Sequence, residues 1–189
     1  MAQVKGTVIN AWRKFLTDRY GDQALNAAIN SLSTPEKSEL ALPILDSTWY
    51  PIELQLIMAR LTRALSKPSD SDLAGELGRY MADYVYASVY RGLLRGKPLK
   101  DRPIDWFDDV VYRDLRTYRV EMSGPSTCIV RYHYLEGKPT SGQCRTLRAF
   151  ISRKLELMGY QHVSCAHQKC LSKGNDCCEF EMQWSAVES

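Results

Sequence analysis

The sequence predicts an α+β fold in which a helical N-terminal half packs on a small antiparallel sheet. Three observations predict it. Apolar residues recur at helical spacing up to about residue 116. Beyond that point they alternate with period two. One helical segment then interrupts the alternating ones, giving β-β-α-β-β over residues 117–184, the pattern of an antiparallel sheet backed by one helix.

The elements follow in order. Val8, Ile9, Trp12, Phe15 and Leu16 mark a helix over about Lys5–Tyr20, stopped by Gly21. Asp22 caps a second, with Leu25, Ala28, Ile29 and Leu32 as its stripe. Ser33-Thr34-Pro35-Glu36 starts a short third helix, with Pro35 in its first turn. Ser47-Thr48-Trp49-Tyr50-Pro51 reads as a loop, and Ile52–Leu65 as an amphipathic helix. The longest helix is expected over Ser71–Leu94, where Gly75, Gly78 and Ala82 form a small-residue face. Trp106, Phe107, Val110 and Val111 suggest one more helix, ending near Leu115.

Residues 118–122 and 128–132 alternate as strands across the turn Ser123-Gly124-Pro125-Ser126. A helix follows over Gly142–Met158, closed by Gly159. His162–Cys170 and Cys178–Trp184 are the last two strands. In the latter Cys178, Phe180, Met182 and Trp184 point one way, and Glu179, Glu181 and Gln183 the other.

The length, 189 residues, is that of one domain. Apolar residues make up 44% and charged residues 25%, a globular composition. Lys and Arg number 25 against 22 Asp and Glu, too even for a concentrated nucleic-acid face. No apolar run reaches the ~20 residues of a membrane span, and no signal-peptide core precedes Trp12-Arg13-Lys14. The expected address is the cytoplasm, where clustered cysteines more often hold metal than form disulfides.

Cys165, His167, Cys170, Cys177 and Cys178 fall within 14 consecutive residues, where chance would place fewer than about one Cys or His. A strand end, a turn at Gly174-Asn175 and the next strand start bring His167, Cys170 and Cys178 together. Zinc takes four N or S ligands in a tetrahedron. The fourth is Cys165, Cys177, or the more distant Cys144 in the first turn of the preceding helix, where the helix dipole favours a thiolate. Cys128 and Cys165 read as packed thiols.

The stretch His167-x2-Cys170-x3-Gly174-Asn175-x2-Cys178-x-Phe180 resembles the C-terminal motif of the 4-vinyl-reductase-type (V4R) domain. That superfamily includes ligand-sensing domains of phenol- and toluene-responsive activators, Bet3-like vesicle-tethering subunits and haem-NO-binding-associated proteins. Val4-Lys5-Gly6, Tyr20-Gly21, Ser47–Pro51, Tyr90-Arg91 and Cys178-Glu179-Phe180-Glu181 bring the whole chain nearer the DUF2378 family of myxobacteria and relatives. The resemblance implies one V4R-like domain over 1–189, with a helical part over 1–116 and a sheet part over 117–184. It implies zinc on Cys144, His167, Cys170 and Cys178, with His167 where the family has Glu and Asn175 where it has Asp. A closed set of four ligands is structural, because it leaves no position for water or substrate.

The resemblance further implies a non-enzymatic sensor, with an apolar ligand pocket for which Tyr80, Tyr84, Trp106, Phe107, Tyr132 and Phe150 are the candidate lining. The alternative is an adaptor without a ligand, acting in a small-GTPase or other signalling complex. The basic stretch Arg91–Arg102 is then a candidate face for an acidic partner. The small-residue face and the superfamily together suggest a homodimer. Against an enzyme, Gly75-x2-Gly78 lies within a helix without a preceding strand, so it is not a phosphate loop. His133 and His162 lie on strands as bystanders.

Overall fold

The computed structural model describes residues 1–87 and 106–185; for Ala87, Trp106, Phe107 and Asp108 it describes the backbone alone. Among the described residues there are seven α-helices and two antiparallel sheets. The helices are α1 (Gly6–Tyr20), α2 (Asp22–Asn30), α3 (Thr34–Ala41), α4 (Ile52–Leu65), α5 (Leu73–Ala87), α6 (Trp106–Val111) and α7 (Ser141–Leu157). No helix among the described residues is long and apolar enough to cross a membrane.

The larger sheet comprises β4 (Arg116–Gly124), β5 (Thr127–Tyr134), β6 (Gln161–Lys169) and β7 (Cys178–Ser185), in the order β4-β5-β7-β6. Every pairing in it is antiparallel, as the alternation predicts. Cys178, Phe180, Met182 and Trp184 are buried on its inner face. Glu179 points the other way and is also buried, its carboxylate held by Arg131 Nε at 2.5 Å and Lys169 Nζ at 3.4 Å.

A second sheet, in the order β2-β1-β3, lies in the half expected to be helical throughout. It joins β1 (Gln3–Lys5), β2 (Trp49–Pro51) and β3 (Tyr112–Arg113). Residues 49–51 were expected in a loop and 112–113 in a helix. Strands of two or three residues are too short for alternation to register, and their pairing joins distant parts of the chain. Trp49 secures the sheet, with Lys5 Nζ 4.4 Å and the Arg113 guanidinium 4.1 Å from its ring. The segment expected as helix beyond residue 87, and the basic stretch Arg91–Arg102, lie outside the described residues.

Two apolar cores share α7 as a wall. The helical core centres on Val8, Ile9, Leu16, Met58, Leu61 and Leu77, and Phe150 of α7 packs on it. The sheet core joins Val130, Phe180 and Met182 to Ile151 and Leu155 from the other side of α7. Helix α7 lies against α5 at Gly78, where a Cβ would stand 2.2 Å from the Thr146 carbonyl oxygen and 3.0 Å from the Ala149 Cβ. Ala82, one turn on, is fully buried. The small-residue face read as a dimer surface is therefore filled within the chain, which removes the basis for the homodimer. Arg79–Glu156 and Arg153–Asp83 ion pairs flank the seam.

The seam sets the outcome of one substitution. In Gly78→Ala the obstructing atom is backbone and cannot step aside. Overpacking of about 1–3 kcal/mol opposes a helix-propensity gain of about 1 kcal/mol. Urea denaturation should show net destabilisation, with Tm falling about 2–4 °C for each kcal/mol lost. A second expected outcome concerns Asp70, whose carboxylate accepts from Tyr20 Oη at 2.6 Å, Arg19 Nη2 at 2.7 Å and Lys67 N at 2.8 Å. These donors hold its pKa well below the usual carboxylate value. A lowered folded-state pKa stabilises above the unfolded value of about 4 and is lost as pH falls through the folded one. Wild type should therefore exceed Asp70→Asn in Tm at pH 7, and the gap should close as pH drops below about 4.

Candidate functional site

Cys144 begins the site. Thr140 caps α7 by accepting from Gln143 N at 3.2 Å, while Gln143 Oε1 accepts from Thr140 N at 2.7 Å. This box sets Cys144 in the first helical turn, facing the sheet and buried. His167 comes from β6, its ring stacked on Phe180 of the neighbouring strand at 4.4 Å and 8°. Cys170 and Cys178 stand on either side of a tight connection. There Leu171–Lys173 forms a 3₁₀ turn, Gly174 takes the left-handed conformation at φ 90°, and Asn175 Nδ2 donates to the Cys170 carbonyl at 3.1 Å.

The four ligand atoms of Cys144, His167, Cys170 and Cys178 all lie within 4.8 Å of one another. The Cys144 sulfur is 3.8 Å from each of the Cys170 and Cys178 sulfurs. That is far beyond a disulfide. It equals the edge of a tetrahedron with metal–sulfur bonds of about 2.3 Å, roughly 3.8 Å. His167 Nε2 is buried and has no hydrogen-bond partner. A buried polar atom without a partner is expensive, and a lone pair directed at a cation resolves it.

The electrostatics are those of crowded thiols. Burial, then the neighbouring Cys178 and Cys170, push the Cys144 thiol far above its ordinary value. Burial raises Cys178 as well. For Cys170 burial acts upward, but hydrogen bonds from Ser172, Cys144 and Cys178 outweigh it and leave the thiol below its ordinary value. Desolvation lowers His167, which favours the neutral imidazole that ligates metal. A bound cation would reverse the penalty on the thiolates, since a coordinating thiol is deprotonated outright.

The other cysteines stand apart. Cys128 is fully buried, pushed up to about 11 by burial. Cys165 is pushed up to about 12, again by burial first. Cys177, one of the candidates for fourth ligand, is buried beside Asp176 and is not among the four grouped residues.

A separate cavity of about 770 Å³ opens between α1, α4, α5, α7 and the start of the large sheet. Its floor includes Val8, Trp12, Ile57, Met81, Val85 and Phe150. Of the expected lining, Phe150 is there. Tyr80 instead packs edge-on against Phe15 at 5.4 Å and donates to Asp18 at 2.6 Å. Tyr84 packs on the helical core, and Tyr132 lies in the sheet core between Tyr118 and Phe180. These three do not line the cavity. The side chains of Trp106 and Phe107 lie outside the described residues. Aromatic residues do line the cavity, Trp12, Tyr112 and Tyr134 beside Phe150, but Phe150 is the one expected residue among them. A better signal was the apolar arc of α4, which Ile52, Leu56 and Ala59 widen beyond its core positions.

No protein-family model matches this sequence, and no curated protein matches it. Solved structures do. An H-NOX protein from S. oneidensis in the Fe(II)NO ligation state superposes with TM-score 0.69 at 11% identity, over 96% of this chain and 99% of that one. The Fe(II) unliganded H-NOX protein from K. algicida gives 0.64 at 14%, over 98% of both chains. A structure described as giving insight into the molecular mechanism of H-NOX activation gives 0.67 at 14%, over 98% of this chain and 99% of that one. At such identity the likeness shows the fold.

It corrects two expectations. The fold neighbours are H-NOX proteins, so the V4R, Bet3-like and DUF2378 assignment does not stand; a short strand-turn-strand motif does not identify a fold. The zinc cofactor, and with it the zinc knuckle, falls by the same finding. The metal that these neighbours' names carry is iron, as Fe(II). Ligand spacing selects a soft-ligand site, and several metals accept such ligands.

Proposed function

We propose that this chain is a sensor module and not an enzyme. A small apolar ligand enters the cavity, and α7 relays its arrival to the thiol–imidazole cluster and onward to a protein partner. The observation that carries this reading is the double duty of α7. Gln143, Thr146, Leu147 and Phe150 line the cavity, while Cys144 on the same helix belongs to the cluster. In this reading residues 1–189 form one domain, because both cores lean on that helix.

The neighbours support a sensor. One H-NOX structure is an Fe(II)NO ligation state, and another concerns the molecular mechanism of H-NOX activation. In this chain Cys144, His167, Cys170 and Cys178 hold one metal ion structurally, tying the start of α7 to the β6–β7 connection. The output is contact with another protein in the cytoplasm.

Elemental analysis of purified protein tests the metal site. About one thiophilic metal ion per chain is expected. Cys144→Ser, Cys170→Ser and Cys178→Ser should each empty the site, and Cys128→Ser should keep it filled. Protein without metal under reducing conditions, after metal has been supplied, would show the cluster to be packed thiols only. Chelation should speed amide exchange in Ser141–Leu157 and Cys178–Ser185 and leave Gly6–Tyr20 and Ile52–Leu65 unchanged.

A further inference from the structure

The fold neighbours raise haem, since one is named for haem redox potential and porphyrin distortion. The residues of this chain do not fit it. Haem iron takes an axial imidazole, thiolate, thioether or phenolate. The chain has three histidines: His133 and His162 are exposed on strands, and His167 is in the thiol cluster. None lines the cavity, and neither does any of the six cysteines.

What remains in the described wall is the Met81 thioether and the phenols of Tyr112 and Tyr134. Tyr134 accepts from Arg116 Nη1 at 3.1 Å, and burial pushes its pKa up. The Tyr134 oxygen is thus already engaged by a cation of the chain itself. The guanidinium of Arg116 also lies over the Tyr112, Tyr132 and Tyr134 rings, at 4.8, 4.6 and 5.6 Å.

The charge of the wall argues the same way. Its described basic side chains are Arg60, Arg63, Arg116 and Lys138. Its described acidic ones are Glu36, Glu39, Glu53 and Glu136, and Arg60 is paired to Glu36. Among the described lining residues the two carboxylates of a haem would meet as many acids as bases. Trp12 turns its one polar atom away, donating Nε1–H to Thr62 Oγ1 at 2.7 Å, so the floor it adds is aromatic carbon.

We propose that this cavity takes an uncharged apolar molecule directly, with no haem between ligand and protein. The inference rests on the sensor reading of the same cavity and adds that its apolar ligand is uncharged and binds without haem. The volume, about 770 Å³, falls within the ~300–1,000 Å³ of ordinary small-molecule sites. Apolar area removed from water supplies the binding energy. A charged ligand loses its own hydration and finds no net opposite charge among the described lining residues.

The test uses the full chain and two probes, hemin and the uncharged dye Nile red. Hemin should produce no stoichiometric ligated Soret band that survives challenge with apomyoglobin. Nile red should bind once per chain with a rise in fluorescence. Ala59→Trp, which fills the cavity from α4, should raise its Kd at least tenfold. Leu56→Trp, at a position already 46% exposed and so tolerant of a larger ring, should weaken it in a chain that keeps its Tm. Stoichiometric, challenge-resistant hemin would overturn the inference and leave the sensor reading standing. Failure of both probes would overturn the two together. Nile red binding unchanged in both tryptophan variants would place the dye elsewhere and overturn the inference alone.

Discussion

The close seating of α7 on α5 is the contact on which the rest of the structure depends. It exists because residue 78 has no side chain. A Cβ there would strike the Thr146 carbonyl oxygen, so the backbones meet where most helix pairs are held apart by side chains. With α7 set at that depth, Phe150 reaches the helical core while Ile151 and Leu155 reach the sheet. One helix thereby serves two cores.

The same helix places Cys144. Its capping box fixes the first turn, and the turn fixes the sulfur 3.8 Å from two others. The cluster buries three thiols beside an imidazole whose Nε2 has no hydrogen-bond partner, and a buried polar atom left so is costly. Cys128 shows the contrast: it is equally buried, and it packs as an ordinary small apolar group.

Likeness of fold and likeness of site separate here. The chain shares its architecture with H-NOX proteins over nearly its whole length at 11–14% identity. Yet its described cavity wall lacks an imidazole or thiolate, and its histidines stand elsewhere. A fold fixes where a cavity lies between layers. The residues on its wall decide what enters.

The C-terminal half was legible in the sequence because alternation and helical spacing are local. Cys178, Phe180, Met182 and Trp184 announced a buried strand face, and β-β-α-β-β followed from the order of periods alone. The four residues of the cluster were also nameable, three from spacing and Cys144 as one of three candidates that the resemblance then singled out, although the family was misassigned. The short sheet of β1, β2 and β3 left no periodic trace, because each strand has two or three residues and pairs across more than forty positions of chain. The cavity was hidden for a related reason. Tyr80 and Tyr84 have the bulk of lining residues, but α5 turns them toward α1 and the helical core. By itself, then, the sequence determined which faces are apolar and which ligands lie near one another along the chain. Only the tertiary structure decided which apolar faces meet, which leave a space, and that the small-residue face of α5 receives α7, because those outcomes depend on distances between segments that no local period encodes.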